Sequence, residues 1–145
     1  MCSSDLAMLG GFAGGWVSLR LIERGVAAVA ARFRVCLAAS VVALAAAAIP
    51  AAPTPAWAAA GISLSIFAVA AFSVNMYTLP LDAFGGARAA FAVSLLVASY
   101  GAVQALISPA FGKVIDVYGY APLAIATSLA PLAACAVLWG TRSVE

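Results

Sequence analysis

The sequence has no histidine, and charged residues make up only 8% of its 145 positions. A typical soluble domain has about 25% charged and about 45–50% apolar residues. Here 66% of the chain is hydrophobic and the mean hydropathy is +1.14, which is typical of a protein that lies in a lipid bilayer. The net charge of +2 is too small for nucleic-acid binding, which depends on a clustered basic face.

Cysteines and catalytic motifs are scarce as well. Cys2, Cys36 and Cys135 lie far apart, so their spacing predicts neither a disulfide framework nor a zinc site. We interpret Cys36 and Cys135 as small apolar side chains. The sequence also lacks a nucleophile paired with a base, a metal-ligand cluster and a phosphate-binding loop. We therefore expect a protein that is not an enzyme and that needs no metal or cofactor.

Apolar segments of membrane-spanning length are what the sequence has in abundance. A spanning helix needs about 20 mainly apolar residues, and four segments of the sequence have this length. A fifth segment, 6–19, is apolar but too short, as if the start of its helix were missing. The sequence predicts an all-α membrane protein with four full transmembrane helices and this truncated one. The four full segments cover residues 35–51, 56–79, 89–111 and 118–140. Turn residues and charges predict the breaks between them, at 50–56, at 80–90, which begins with Pro80, and at 112–120, which begins with Gly112.

Six of the seven basic residues fall on one side of this predicted topology. Segment 20–34 contains four arginines, Arg88 follows two crossings later, and Arg142 follows the last helix, whereas the other side has only Lys113. Positively charged connections stay in the cytoplasm. The pattern therefore predicts that 20–34, 80–90 and the C-terminus are cytoplasmic.

The first six residues, MCSSDL, have neither the basic start nor the long apolar core of a signal peptide. They resemble the translation of a sequencing-adapter tail. We interpret residues 1–6 as a non-native leader and expect residues 7–145 to be the C-terminal part of a longer protein.

The segment GGWVSLRLIERG resembles the loop signature of the major facilitator superfamily. Gly15 takes the position of its first glycine, Arg20 the basic position and Arg24 a later basic position. Leu19 stands where the family has an acidic residue, and Ile22 where it has a second glycine. In the family this loop joins helices two and three and recurs in weaker form between helices eight and nine. The segment is similar to the weaker form.

This resemblance implies that 6–19 is the end of helix eight and that the four full segments are helices nine to twelve of a twelve-helix transporter. The segment from Asn75 to Leu123 looks like helix ten to the start of helix twelve in bacterial members, especially those of the organic-anion and monocarboxylate type. The implied protein is a secondary active transporter of small organic solutes in the bacterial inner membrane. It works by alternating access, and its partners are the missing N-terminal half and the substrate.

The loop has a physical interpretation of its own. Glycines at 10, 11, 14 and 15 recur at a spacing that lets a neighbouring helix approach closely. In the family the acidic residue of the signature steadies one conformation of the transport cycle, which Leu19 cannot do. We therefore interpret the loop as a positively charged anchor.

Neutral polar residues are the candidates for a substrate path, because no charged residue lies deep within the four full segments. Tyr100, Gln104 and Ser108 are spaced by four and share one helix face, and Ser99 is the neighbour of Tyr100. Two interpretations stay open. The side chains line the path, or they bond a neighbouring helix at about 0.6–2 kcal/mol per contact.

Asn75 and Tyr77 are two further candidates, toward the end of segment 56–79. In one interpretation, which follows from the family resemblance, these two side chains lie at the mouth of the transport cavity. An asparagine near a helix end also satisfies local backbone groups, so this alternative stays open.

Two other functions fit the composition. One is a complete four-helix exporter that works as a dimer, although such proteins usually carry a membrane-embedded glutamate that is lacking here. The other is a membrane scaffold or assembly subunit that transports nothing. An upstream reading frame encoding about seven more spans would favour the transporter.

Overall fold

The computed structural model describes residues 3–142, and all regular secondary structure among them is helical. Four helical stretches are long and apolar enough to cross a bilayer, namely Ala28–Ala51, Pro55–Phe84, Gly86–Tyr118 and Ala121–Gly140. The prediction of an all-α membrane protein with four full spans is confirmed. The elements are α1 (Ser3–Glu23), α2 (Ala28–Ala43), a 3₁₀ segment (Leu44–Ala51), α3 (Pro55–Phe84), α4 (Gly86–Tyr118) and α5 (Ala121–Arg142).

The first helix is longer than the 6–19 segment predicted from the sequence. It has 21 residues, and Asp5 lies in its first turn while Arg20 lies in its last. Charges of these signs suit the two ends of a helix dipole, and arginine and glutamate are good helix formers. The helix therefore continues past the apolar residues at both ends. Residues 3–6 form its start, and residues 1 and 2 of the predicted leader lie outside the described part of the chain.

The connections on either side of α4 are much shorter than predicted. The expected breaks at 80–90 and 112–120 reduce to Gly85 and to the pair Gly119 and Tyr120. Gly85 and Gly119 have φ values of +71° and +74°, which glycine adopts without the steric cost that a Cβ brings. Pro80 lies inside α3, so it does not end the helix as expected.

The opposite end of α3 begins with a capped turn. The Thr54 hydroxyl oxygen accepts a hydrogen bond from the backbone N–H of Trp57 at 3.4 Å, and Pro55 occupies the first helical turn. Both are favoured at a helix start, where the backbone N–H groups lack partners within the helix. The turn predicted at 50–56 is therefore present, between the 3₁₀ segment and α3.

Two glycines of α1 bring that helix against the backbone of α3. A Cβ added at Gly14 would lie 2.8 Å from the Cα and the Cβ of Ala71. One added at Gly10 would lie 2.9 Å from the Cα of Phe67 and would also meet its carbonyl oxygen. The close approach predicted from the glycine spacing is confirmed, and it sets a parallel register in which α1 and α3 run side by side.

Helices α2 and α5 pack against each other as an antiparallel pair. Cys36 and Cys135 are 0% and 2% exposed at their contact, and with Phe33 they form a small core. The Ser40 hydroxyl lies 3.5 Å from the Cys135 sulfur, and the Phe33 and Trp139 ring centroids are 5.7 Å apart. The interpretation of these cysteines as small buried side chains is confirmed.

Helix α4 lies at the edge of the bundle. Its one buried residue is Ala89, near its start, and none of its most apolar stretch is buried. Most side chains of α4 therefore lack a helix to pack against within the described part of the protein.

The alternation of helices places five arginines and the end of α5 at one end of the bundle, because short connections make successive helices antiparallel. We call it the arginine-rich end. Lys113 lies near the far end of α4. The arginines are Arg20, Arg24, Arg32, Arg34 and Arg88.

Replacing Gly14 with alanine tests the contact between α1 and α3. The new methyl group would meet backbone atoms, which cannot move aside as a flexible side chain can, so we expect the free energy of unfolding to fall by about 1–3 kcal/mol. The measurement is unfolding in mixed micelles followed by tryptophan fluorescence. Gly101→Ala is the matched control, because nothing lies within 4 Å of a Cβ at that position of α4. An equal effect of the two changes would contradict the close contact.

Candidate functional site

Arg32 joins three helices at the arginine-rich end. Its Nε donates to the Asp82 carboxylate on α3 at 2.9 Å, forming an ion pair whose side chains are 17% and 19% exposed. One of its terminal nitrogens donates to the Ser18 hydroxyl oxygen on α1 at 2.8 Å, and to the Asn75 side-chain oxygen on α3 over a longer 3.5 Å. We call Arg32, Asp82, Ser18 and Asn75 the arginine cluster.

The register of α1 on α3 explains why these residues meet. Gly10, Gly14 and Ser18 are spaced by four along α1, so Ser18 continues the face that contacts α3. On α3, Asn75 and Asp82 are seven residues apart and share a face. Arg32, in the second turn of α2, enters between the two helices.

Every buried polar side chain in the arginine cluster has a partner. Ser18 and Asn75 are both 0% exposed. The Ser18 hydroxyl donates to the Gly15 carbonyl at 2.8 Å, and the Asn75 amide donates to the Ala71 carbonyl at 2.9 Å. Buried polar groups that are fully bonded stabilise one arrangement of the helices, whereas an unpaired one is costly. The cluster therefore ties α1, α2 and α3 together, and its two fully buried members, Ser18 and Asn75, are bonded within the protein.

The loop signature residues lie apart from this cluster. Arg20 is exposed, lies 5.2 Å from the centre of the Trp16 ring and pairs with Glu23 at 3.9 Å. Arg24 and Leu19 are exposed, and a Cβ at Gly15 would only touch Val74 at 3.9 Å. Arg20 and Arg24 suit the surface anchor that we predicted. In this part of the chain, the polar contact between helices is made by Ser18 and Arg32. Neither residue occupies one of the signature positions.

A groove of about 640 Å³ lies between α4 and α5. It contains three of the residues predicted for a substrate path, Ser99, Tyr100 and Gln104, together with Ser108. The shared helix face that the spacing predicted is therefore present. Thr127 contributes a polar group from α5, and the other lining side chains are Leu96, Val103, Ile107, Phe111 and Ala130.

Hydrogen bonding divides the polar residues of this groove into two kinds. The Ser99 hydroxyl donates to the Leu95 carbonyl at 2.7 Å, and the Thr127 hydroxyl donates to the Leu123 carbonyl at 2.7 Å. Tyr100 is 60% exposed and Gln104 is also exposed, and neither makes a hydrogen bond to a described residue. The groove therefore presents a phenol and an amide that are free to bind another group.

Asn75 and Tyr77 are not brought to this groove. Asn75 is fully enclosed in the arginine cluster and bonds its own backbone through Ala71, which is the alternative that its sequence position left open. Tyr77 is 38% exposed on α3. Their contact with a substrate stays a prediction.

No family model, no curated protein and no solved structure matches this chain. Within residues 3–142 no three cysteine or acidic side chains lie close enough together to hold a metal ion.

Asp82→Asn tests the arginine cluster. It leaves Arg32 partly buried without its counter-ion, and breaking a buried pair in this way costs up to about 3–5 kcal/mol. Because the pair is partly exposed, we expect a loss of about 1–3 kcal/mol in the free energy of unfolding. Unfolding in mixed micelles provides the measurement.

Two further variants sharpen this test. Glu23→Gln is the control, because the Arg20 and Glu23 side chains are 58% and 56% exposed and an exposed pair contributes about 0–1 kcal/mol. The exchange of Arg32→Asp with Asp82→Arg should recover part of the loss. If Asp82→Asn is as mild as Glu23→Gln, the ion pair does not hold the helices together.

Proposed function

We propose that this chain is part of a secondary active transporter of small organic solutes, organic anions among them, that works by alternating access. The observation that carries the proposal is the groove between α4 and α5, where the Tyr100 hydroxyl and the Gln104 amide lie unpaired inside a mainly apolar span. The resemblance of the loop to the major facilitator signature supports a protein of that type, with further helices completing the cavity.

The cost of unpaired polar groups in lipid supports this proposal. The bilayer core contains no water to bond them, and each unsatisfied group there costs several kcal/mol. Polar groups in a span therefore face a cavity, a solute or another helix. A carboxylate or hydroxyl of a small solute can accept from the phenol and from the amide N–H, and the apolar walls suit a short carbon chain.

The position of α4 at the edge of the bundle also supports the proposal that this chain transports a solute together with further helices. Helix α4 has one buried residue in the described structure, whereas α1, α2 and α3 are tied by the arginine cluster. A fixed group of helices beside a less packed one allows a cavity to open and close between rigid parts. The mechanism is non-enzymatic in this proposal, and it uses no cofactor.

The proposal includes an orientation in the bacterial inner membrane. The arginine-rich end faces the cytoplasm, together with the C-terminus, because basic residues are retained on that side. Arg20 and Arg24 then lie at the cytoplasmic surface, where exposed basic side chains contact water and lipid head groups.

Gln104→Leu in the complete reading frame tests the substrate path. If Gln104 bonds the solute, uptake of radiolabelled lactate into membrane vesicles should fall by about tenfold per folded molecule, since a lost hydrogen bond in a dry site costs about 1–3 kcal/mol. The amount of folded protein in the same vesicles is measured by its elution profile and corrects the rate.

Leu106→Ala is the control, because Leu106 is 80% exposed on α4 and does not line the groove. If Gln104 only joins helices, the folded amount falls and the corrected rate stays unchanged, which contradicts the substrate path. Transport by the 145-residue chain alone, as a discrete dimer, would favour a small exporter. No transport of any organic anion or neutral solute by either form would favour a scaffold.

Labelling of single cysteines tests the orientation. In a Cys2→Ser background, Tyr120→Cys should react with an impermeant maleimide added to intact cells, and Arg24→Cys should react only after the membrane is opened. Both positions are exposed, at opposite ends of the bundle, and the native Cys36 and Cys135 are buried. Reaction of Arg24→Cys in intact cells would mean that the orientation is inverted.

A further inference from the structure

A second groove, of about 460 Å³, opens on the outside of the bundle between α1 and α2. Its walls include Val17 and Leu21 on α1 and Val35 and Val42 on α2, and Phe67 and Ala71 of α3 lie at its base. From Arg34 to Val42 it follows about 12 Å of helix, at about 1.5 Å per residue. Nearly all of this surface is apolar, and it is separate from the groove proposed for the solute.

Arg34 is the one charged lining residue of this groove and, of its lining residues on α2, the one nearest the arginine-rich end. It is two positions beyond Arg32, and so about 200° further round the helix. Arg32 points into the bundle and pairs with Asp82, whereas Arg34 is exposed and pairs with no described carboxylate. An arginine on the membrane-facing side of a spanning helix requires an anion or water to offset its desolvation.

Two more arginines extend this basic surface, Arg20 in the last turn of α1 and Arg24 directly after its end. Val17 and Leu21 line both the groove and a neighbouring depression of about 260 Å³ that includes Arg20 and Arg24. Arg24 forms no ion pair with a described residue. Arginines that adjoin an apolar channel present the features of a lipid site, a cationic surface for the head group and an apolar surface for the chain.

We propose that the groove between α1 and α2 binds one anionic phospholipid, with its phosphate on Arg34 and one acyl chain lying along Val17, Val42 and Phe67. The guanidinium group suits phosphate, which it binds through two parallel N–H donors. Basic sites between transmembrane helices bind anionic head groups in this way. A zwitterionic lipid fills the groove equally well but brings no net charge to Arg34. This proposal does not depend on transport.

The first test titrates the purified chain in detergent with phosphatidylglycerol, and separately with phosphatidylcholine of the same acyl chains. Native mass spectrometry then counts the lipids retained. We expect phosphatidylglycerol to be retained preferentially, and Arg34→Gln to weaken its retention by about fivefold, the contribution of one basic residue near a membrane surface. Equal retention of the two lipids by the parent chain would overturn the proposal.

Arg88→Gln is the matched control, because it removes one exposed arginine from the same end of the bundle but from α4, away from the groove. We expect it to leave phosphatidylglycerol retention unchanged. Equal weakening by Arg34→Gln and Arg88→Gln would mean that binding follows net charge alone, and the site would be rejected.

Ala38→Phe tests the apolar part while it keeps Arg34. Ala38 lines the groove and is exposed, so the larger side chain fills the groove without entering the packed core. A phosphatidylglycerol with a photoreactive group in its acyl chain should label the segments around Val42 and Phe67 in the parent chain, and much less in Ala38→Phe. Unchanged labelling in the variant, or labelling only elsewhere, contradicts the proposal.

Soluble glycerol phosphate distinguishes a lipid from a free phosphate. It carries a comparable anionic group without acyl chains, so at equal concentration it should not displace the photoreactive lipid. Displacement would show that the arginines bind phosphate alone. Circular dichroism and the elution profile establish that each variant is folded before its retention is compared, and Ala38→Phe keeps the test decisive if Arg34→Gln does not fold.

Discussion

The contact between the backbones of α1 and α3 at Gly10 and Gly14 is the constraint on which the other features depend. It fixes the register of two parallel helices, because a Cβ at either glycine would meet the backbone of the opposite helix. In a bilayer this packing replaces the hydrophobic drive that is absent between lipid-facing helices. The same register carries Ser18 to the level of Asn75, so that Arg32 of α2 reaches both side chains with one terminal nitrogen. The groove at the surface between α1 and α2, with α3 as its base, is a consequence of the same arrangement.

The arginine cluster and the groove between α4 and α5 differ in how their polar groups are satisfied. Arg32, Ser18 and Asn75 bond each other or their own backbone, so the arginine-rich end holds α1, α2 and α3 in one arrangement. Tyr100 and Gln104 have no such partners within the described helices. A protein that fixes one region and leaves unpaired donors in another concentrates its binding capacity where the helices are least packed. This contrast is the physical basis for the proposal that the first site is structural and that the second binds a solute.

Sequence periodicity predicted the features that depend on a single helix. Apolar length predicted the four spans, and spacing by four placed Tyr100, Gln104 and Ser108 on one face. Helix ends were predicted less well, because Pro80 and Gly112 were interpreted as breaks and both lie inside helices. The Arg32 and Asp82 pair was missed because its partners are 50 residues apart, and only the register of three helices brings them together. The one signal in the sequence was Ser18, which continues the spacing of Gly10 and Gly14.

The separation of Arg32 from Asp82 also affects how the protein is made. A ribosome adds about 5–20 residues per second, and the two residues are 50 positions apart. Arg32 therefore emerges about 2.5–10 s before its counter-ion at that rate. Throughout that interval the hairpin of α1 and α2 has Ser18 as a partner for Arg32, but neither Asp82 nor Asn75 of α3. The charge of Arg32 is therefore offset within the bundle only once α3 has been made.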